Sequence, residues 1–324
     1  MGRVAVEVQY RSGLLSIRLD KASAGWSVER FLSERLGLPH GFINQLFHRA
    51  GVTYNRDRAK PVDELAAGGR LLLADPSWGR PTTREIASSN APELAVLYED
   101  DHVLVVNKPA GLIIHTEDPT VTALDDIVAG YLAQRDGQGL HVHRLDGPTT
   151  GAVLYAKHTF MLRALDAQLV NKAIQRSYVA ITWGRRLSNG VIDQPIGRDR
   201  HQSGKFRVAS TGKPARTHVT VLAVREQAGK ELSLAQLQLA TGRTHQIRVH
   251  LSAQGAPIVG DAWYGGTGLG NWPAPGQIAL HAASLRFWHP YDERWIDIHA
   301  PFDAGWCDTL LDKFGHVGEF ILRE

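Results

Sequence analysis

The sequence predicts an α+β fold built on a mixed or antiparallel β-sheet. Strand-like segments outnumber helix-like ones, and the two do not alternate regularly as they would in a doubly wound sheet. Hydrophobic residues make up 43% of the chain and charged residues 21%, which is ordinary globular usage and excludes a wholly disordered, collagenous or coiled-coil protein. Because a domain has about 100–200 residues, the 324 residues predict two domains.

A small N-terminal domain is expected over residues 1–75. Apolar residues alternate on either side of Ser12-Gly13, which predicts a hairpin within the first twenty residues. Ser27 as a cap and Gly37 as a stop bound a short amphipathic helix, and GFINQLFHRAG predicts a second one. The segments VTYN and GGRLLLAD are strand-like and complete this domain.

A linker is predicted over residues 76–92, PSWGRPTTREIASSNAP, because it has three prolines and no periodic apolar face. The large domain, 93–324, is strand-rich: AVLYEDDHVLVVNK predicts two strands around a turn, followed by GAVLYAK, RSYVAITWG, ARTHVTVLAV and LSLAQLQLAT. The alternation slips between Leu234 and Leu237, which predicts a bulge there. Helices are predicted for FMLRALDAQLVNKA and THQIRVHLSAQG.

Composition limits the cellular setting. The longest apolar runs, such as Val103 to Val106, are far shorter than the ~20 residues that span a bilayer, and the first residues lack the apolar core of a signal peptide. The single cysteine, Cys307, can form neither an internal disulfide nor a multi-cysteine zinc site. We therefore expect a cytoplasmic monomer without a membrane span.

The positive charge is concentrated in one segment. A net charge of +3 does not by itself indicate a nucleic-acid partner. Residues 198–216, however, contain one acidic residue and six basic ones: Arg198, Arg200, Lys205, Arg207, Lys213 and Arg216. Gly204, Gly212 and Pro214 predict that this segment is a loop, either a solvated excursion or a set of phosphate contacts.

Several standard motifs are missing from the sequence. It has no phosphate-binding GxxxxGKS/T loop, no HExxH, no GxSxG and no GxGxxG that opens a helix after a strand. His141, His143, His245 and His250 could be combined into a metal site on paper, but no carboxylate or cysteine stands at ligand spacing. We expect no metal.

Two dense polar segments remain as candidates for a site. In HRLDGPTTG, Gly147-Pro148 forces a turn that would display Asp146 to a substrate, or Asp146 could simply bond its own backbone there. In TGRTHQIRVH a strand ends and a helix begins, so His245 and Arg248 share a helical face suited to anions. A solvated helix start is the alternative for the second segment.

Taken together, these segments resemble the RluA-type family of RNA pseudouridine synthases. HRLDGPTTGAVLYAK is similar to the family's HRLDxxTSG signature, and YEDDHVLVVNKPAGLIIH, RSYVAITWG, TGRTHQIRVHLSAQGAPIVGD and LHAASLRFWHP resemble four further motifs in the family's order. The resemblance spans about Leu94 to Pro301. Residues 27–75 more weakly resemble an S-four-type RNA-binding domain, without its usual basic helix. Thr150, Arg176 and Thr116 depart from the family's pattern.

The resemblance implies a pseudouridine-synthase-like sheet and the conversion of uridine to pseudouridine in ribosomal or transfer RNA. It assigns Asp146 as the essential carboxylate, Tyr178 as the stacking aromatic that assists proton removal, and Arg248 as the buried cation that keeps Asp146 charged. It implies no metal and no organic cofactor. The expected RNA contacts are His143, Arg144, Lys205, Arg207, Arg243 and His245, with Arg144 filling the space that the flipped base leaves.

The sequence leaves two other functions open. An inert RNA-binding protein on the same fold would be expected to lack one of the three catalytic residues, and all three are present. A nucleoside or glycoside hydrolase would use Asp146 as nucleophile, but it would need a second acid and a positioned water. For Tyr178 alone, a core tyrosine with a satisfied hydroxyl is the alternative.

Overall fold

The structure, a computed structural model, describes residues 6–77, 93–133, 135, 137–227 and 229–323. Nearly all of the predicted linker, residues 78–92, lies outside these ranges. None of the helices in the described ranges is long and apolar enough to cross a bilayer.

The N-terminal part is a five-stranded sheet in the order β1-β2-β5-β3-β4, with two helical segments packed on it. Its elements are β1 (Glu7–Arg11), β2 (Leu14–Arg18), α1 (Val28–Arg30), α2 (His40–His48), β3 (Val52–Tyr54), β4 (Asp57–Arg58) and β5 (Arg70–Ala74). The hairpin is confirmed: Ser12 and Gly13 both have positive φ, as its tight turn requires. The Ser27 side chain caps α1, which continues as a π-helical turn over Phe31–Arg35.

The large part contains a ten-stranded sheet in the order β11-β14-β15-β10-β16-β9-β7-β6, with β17 on β16 and β8 on β9. Its strands are β6 (Val96–Glu99), β7 (Val103–Lys108), β8 (Leu140–His141), β9 (Thr150–Ala156), β10 (Gln175–Gly184), β11 (Gly190–Asp193), β14 (Arg216–Gln227), β15 (Lys230–Leu239), β16 (Leu280–His289) and β17 (Arg294–His299). The pair β9·β16 is parallel and the other described pairs are antiparallel. The predicted α+β class with a mixed sheet is confirmed.

Five helices accompany this sheet, and a small hairpin stands beside it. They are α3 (Leu124–Leu132), α4 (Thr159–Val170), α5 (Gln246–Ala253), α6 (Ala304–Phe314) and α7 (His316–Arg323), with β12 (Ile196–Arg198) and β13 (Phe206–Val208) forming the hairpin. The sequence predicted α4 and α5. It missed α3, α6 and α7, although Asp303 caps α6 by accepting from the Trp306 N–H at 2.9 Å.

Two sequence predictions about local structure were wrong. The bulge lies on β14, where Leu222 is the extra residue opposite Leu234 and Ala235. The alternation in β15 slips because residues 232–235 are buried on both faces of a central strand. The basic segment, predicted as a loop, contains the hairpin β12·β13, because its glycines fall in the turns and not in the paired residues.

Hydrophobic clusters cover both faces of the large sheet. Alternate residues of β7 enter different clusters: Val103 and Val105 join one, and Leu104 and Val106 the other. The first cluster also contains the N-terminal core, and Tyr10 stacks on His158 with ring centroids 4.3 Å apart. The N-terminal part therefore packs on one face of the sheet through shared apolar burial.

One glycine is required where β9 meets β16. Gly151 has φ +113°, and a Cβ at this position would lie 2.3 Å from the carbonyl oxygen of Ala282. Only glycine allows the two strands to approach so closely. This contact fixes the start of β9 immediately after the HRLDGPTT segment, and so fixes where that segment lies.

Candidate active site

A cleft of about 800 Å³ gathers most of the predicted site residues. It is bounded by the loop between β8 and β9, the C-terminal end of α4, strand β10 and the segment that joins β15 to α5. Seven of the nine predicted site residues line it: His143, Arg144, Asp146, Tyr178, Arg243, His245 and Arg248. Residues about 100 positions apart in sequence thus meet in one cavity.

The loop that carries Asp146 is tied down by its backbone. The Thr149 N–H donates to the Asp146 carbonyl at 3.0 Å, and the Gly147 carbonyl accepts from the Gly111 N–H at 2.9 Å. The Asp146 carboxylate itself points at Arg248, whose Nη1 lies 3.3 Å from Oδ2. The predicted display of this carboxylate is therefore found, within a loop that leaves it little freedom.

Lys108 is a part of this support that the sequence analysis did not single out. Its fully buried Nζ donates to the carbonyls of Pro109, Leu112 and Gly147 at 2.9, 2.7 and 2.8 Å. Burial lowers the pKa of Lys108 to about 7, while the nearby charge of Asp146 acts in the opposite direction. The lysine joins the loop after β7 to the turn at Asp146, and its place in VVNKPAG was the available signal.

Arg248 holds two carboxylates at once. Besides Asp146, it donates to Asp261 through Nε at 2.7 Å and through Nη2 at 2.9 Å. Arg248 is 5% exposed and Asp261 1% exposed. Burial acts to lower the pKa of Arg248, but the bonds to Asp261 and the charge of Asp146 outweigh it and raise the pKa.

Asp261 is the most important residue that the sequence analysis missed. It follows Gly260 in the stretch APIVGD, at the end of the motif that begins at Thr241. Neither periodicity nor composition distinguishes a buried acid from a turn aspartate at such a position. Three residues later, the Tyr264 ring lies under the Arg248 guanidinium, 4.9 Å from its Cζ, and completes the arginine's surroundings.

His245 lies on the other side of Asp146. Its Nδ1 is 2.8 Å from the Tyr264 hydroxyl, and its Nε2 is 4.0 Å from Asp146 Oδ1. The Tyr264 oxygen accepts from the Phe206 N–H at 3.1 Å, and its own proton can be donated to Nδ1; in that tautomer the ring proton lies on Nε2, facing Asp146. Burial lowers the pKa of His245, so the ring is neutral near pH 7.

Tyr178 lies on β10 at the wall of the cleft and is 4% exposed. Opposite it, β16 has an extra residue, so that one position of β10 faces Ala282 and Ala283 together. Burial raises the pKa of Tyr178, and the neighbouring Arg176 opposes that rise. The hydroxyl is therefore protonated at neutral pH.

The predicted RNA contacts fall into two groups. Arg144 and Arg243 are exposed at the cleft, while Lys205 and Arg207 lie beside it on the hairpin β12·β13. His143 differs: it is 5% exposed, its Nε2 accepts from the Leu154 N–H at 3.3 Å, and burial lowers its pKa to about 3. A buried, neutral ring does not suit the direct RNA contact that was expected of His143.

The four histidines considered as possible metal ligands bond different partners. His141 Nδ1 lies 3.0 Å from Asp125, and His250 Nε2 lies 2.9 Å from the carbonyl of Gln194. His143 and His245 bond Leu154 and Tyr264, as described above. The fold therefore gives each ring a separate role in packing or positioning.

The sequence model of the family described as RNA pseudouridylate synthase matches residues 102–253. Ribosomal large subunit pseudouridine synthase C of Escherichia coli (strain K12) is 34% identical over 314 residues, which cover 90% of this chain and 93% of that protein. The chain belongs to the RluA-type family of RNA pseudouridine synthases.

Other relatives agree with this membership. An uncharacterized RNA pseudouridine synthase of Bacillus subtilis (strain 168) is 44% identical over 227 residues, 67% of this chain and 72% of that protein. The solved structure of human RNA pseudouridylate synthase domain containing 1 matches with a TM-score of 0.54 and 28% identity, over 68% of this chain and 86% of that one. The predicted resemblance and fold class are thereby confirmed. Isomerisation of uridine to pseudouridine in RNA is the activity of this pseudouridine synthase.

Proposed function

We propose that this pseudouridine synthase modifies ribosomal large-subunit RNA, with Asp146 as its essential carboxylate. The observation that carries the catalytic part is the 3.3 Å pairing of Asp146 with the buried Arg248 inside the cleft. The RNA target rests on relatives that match nearly the whole chain. One of them, ribosomal large subunit pseudouridine synthase C of Vibrio parahaemolyticus, is 31% identical over 94% of this chain and 96% of that protein.

The reaction explains why a charged carboxylate is needed. The bond between ribose carbon 1′ and base nitrogen 1 breaks, and carbon 1′ is joined to carbon 5 of the same uracil. The proton on carbon 5 leaves and nitrogen 1 takes up a proton, so atoms and charge balance without a redox step. A charged carboxylate can add to carbon 1′, which becomes electron-poor as the bond breaks, or to the electrophilic uracil ring. Asp146 serves either route.

Arg248 and Asp261 act on the carboxylate rather than on the RNA. A cation at 3.3 Å stabilises the charged form of the carboxylate, which the reaction needs. Asp261 occupies Nε and Nη2 of Arg248, so only the Nη1 side of the guanidinium turns toward Asp146. We assign Arg248 as the charge partner and Asp261 as its positioning residue.

Tyr178 is proposed to exclude water with its ring and to hold or move a proton with its hydroxyl. Its raised pKa means that no standing phenolate is available to remove the proton from carbon 5. The hydroxyl therefore acts as a hydrogen-bond donor that can relay a proton. This specifies how Tyr178 would assist removal of the proton from carbon 5.

The remaining cations are proposed to hold the RNA backbone. Taking a uridine out of its stack costs a few kcal/mol, which contacts to the RNA must offset. Arg144 follows the buried His143 and is exposed beside Asp146, so it can occupy the vacated stack. Arg243 is exposed at the cleft, and Lys205 and Arg207 lie on the hairpin β12·β13 as half-exposed and exposed charges suited to phosphates. His143 and His245, being neutral, are assigned to positioning.

Mapping pseudouridine in all RNA from cells that lack the gene tests the target. We expect a discrete site or a few sites in large-subunit ribosomal RNA to revert to uridine, and the wild-type gene to restore them. Loss of pseudouridine from transfer RNA alone would contradict the proposed target. Release of free uracil by the purified enzyme would instead indicate the hydrolase.

A further inference from the structure

Trp263 is a large aromatic residue that is exposed beside this cleft. It lies on the 3₁₀ turn Ala262–Tyr264, between Asp261, which is buried against Arg248, and Tyr264, which bonds His245. Asp261 and Tyr264 are buried, but Trp263 is 53% exposed. Within this short turn the side chains of Asp261 and Tyr264 therefore point inward, and the indole of Trp263 between them points outward.

The indole is held in place on two sides. Its ring centroid is 5.8 Å from that of His245, at an interplanar angle of 71°. On the other side is Gly204, where a Cβ would lie 3.5 Å from the Cη2 atom of Trp263. The ring therefore stands between the start of α5 and the turn of the hairpin β12·β13, with much of its surface still accessible.

Positive charge lies close to this ring, which stands beside the catalytic cleft. Lys205 Nζ is 5.5 Å from the centroid of the Tyr264 ring, and Arg243, two residues before His245, lines the cleft. His245 contacts Trp263 on one side and lies 4.0 Å from Asp146 on the other. A ligand that rests on Trp263 is thus separated from the reacting carboxylate by one imidazole ring.

We propose that Trp263 is a stacking platform for an RNA base next to the target uridine. An exposed indole among cations is the arrangement that binds unstacked nucleotides, because every base has a π-face and every phosphate a charge. The inference rests on the proposed function in one respect, that RNA enters this cleft. It adds a binding residue on the side of His245 away from Asp146.

Fluorescence provides a direct test. Stacking of a base on an indole quenches its emission, so titration with an oligouridylate should quench the wild-type protein more than Trp263→Phe. Trp295→Phe is the matched control: Trp295 is 41% exposed, lies on β17 and carries Arg286 over its ring at 4.9 Å. Equal quenching in wild type and Trp263→Phe would contradict the platform.

Affinity gives the second test, made in an Asp146→Asn background so that no turnover is needed. Trp263→Ala should weaken oligouridylate binding about tenfold, while Trp263→Phe, which keeps a ring, should stay within about threefold. The salt dependence should not change, since no charge is removed. Unchanged affinity for Trp263→Ala would overturn the inference and would leave the proposed activity intact. If the mapping experiment failed, these binding measurements would still decide the role of Trp263.

Discussion

The guanidinium of Arg248 is paired with Asp261 along one edge, with Nε 2.7 Å from Oδ2 and Nη2 2.9 Å from Oδ1. Asp146, the carboxylate proposed to meet the substrate, is farther from the same group, at 3.3 Å. The tighter pair is also the more deeply buried one, since the Asp261 side chain is 1% exposed and that of Asp146 25%. The arginine is therefore fixed by one carboxylate and presented to the other.

This arrangement predicts that Asp261→Asn impairs catalysis, although Asp261 is not expected to contact the RNA. The amide keeps one acceptor but no charge, so Arg248 loses its fixed orientation and turns toward Asp146. We expect the single-turnover rate to fall about 100-fold, the usual effect of a small misplacement in a site, with little change in RNA affinity.

Asp193→Asn is the control for that experiment. Asp193 pairs with Arg216, and both side chains are more than half exposed. An exposed pair contributes about 0–1 kcal/mol, so this variant should melt and react like the wild type. Equal rates for Asp261→Asn and Asp193→Asn would show that Asp261 has no positioning role.

Arg248→Ala separates charge pairing from phosphate binding. Removing the guanidinium leaves Asp146 and Asp261 without their cation. This defect is expected to cost about 3–5 kcal/mol if both carboxylates stay charged. Activity should fall severely, and the residual rate should shift to higher pH because a carboxylate without its cation needs a more alkaline solution to ionise. RNA affinity should change little. A salt slope reduced by about one unit, with an unshifted pH profile, would make Arg248 a phosphate ligand instead.

Tyr178→Phe tests the hydroxyl separately from the ring. The phenyl ring should still exclude water and pack against the base, so RNA binding should be preserved. If the hydroxyl moves the proton, the reaction should stall after the base is detached, and quenched single-turnover samples should contain RNA that is neither uridine nor pseudouridine at the target. Wild-type turnover would leave Tyr178 as a packing residue.

Buried histidines predict acid sensitivity of the fold. Burial lowers the pKa of His102 and of His281 to about 4, below the value of about 6.5 in an unfolded chain. Below that value the unfolded state binds more protons than the folded state, so stability should fall as the pH drops from about 6.5 to about 4, by a few kcal/mol.

His281→Gln should make this pH dependence shallower. His281 lies between the Thr150 hydroxyl at 2.7 Å and the Ala300 carbonyl at 3.1 Å, two contacts that an amide can also make. The measurement is urea unfolding at pH 7.5 and at pH 5, compared between wild type and variant. Identical loss of stability in both would rule out His281 as a source of the acid sensitivity.

The sequence predicted those parts of the fold that depend on local pattern. The hairpin at Ser12-Gly13, the strands β6 and β7 and helix α5 follow from alternation, turn residues and helical spacing. Of the site, Asp146, Tyr178 and Arg248 were named from motifs, and the fold brings all three into one cleft.

The rest depends on contacts between distant segments, which no local pattern encodes. Asp261 and Lys108 are ordinary polar residues in sequence and acquire their roles only when loops from different strands meet. His143 was expected among the RNA contacts, but it is 5% exposed and its Nε2 accepts from the Leu154 N–H of β9. The bulge was placed on the wrong strand because a phase slip does not distinguish a bulge from burial on both faces.

The central claim is that Asp146 is the group without which no pseudouridine forms. It is tested most directly by incubating purified wild type and Asp146→Asn with large-subunit ribosomal RNA from cells lacking the gene, and quantifying pseudouridine at the mapped site. The amide is nearly isosteric with the carboxylate but is neither nucleophilic nor charged. The account predicts that Asp146→Asn binds this RNA as the wild type does and forms no detectable pseudouridine. Activity within about tenfold of wild type, a barrier change of only about 1.4 kcal/mol, would contradict it.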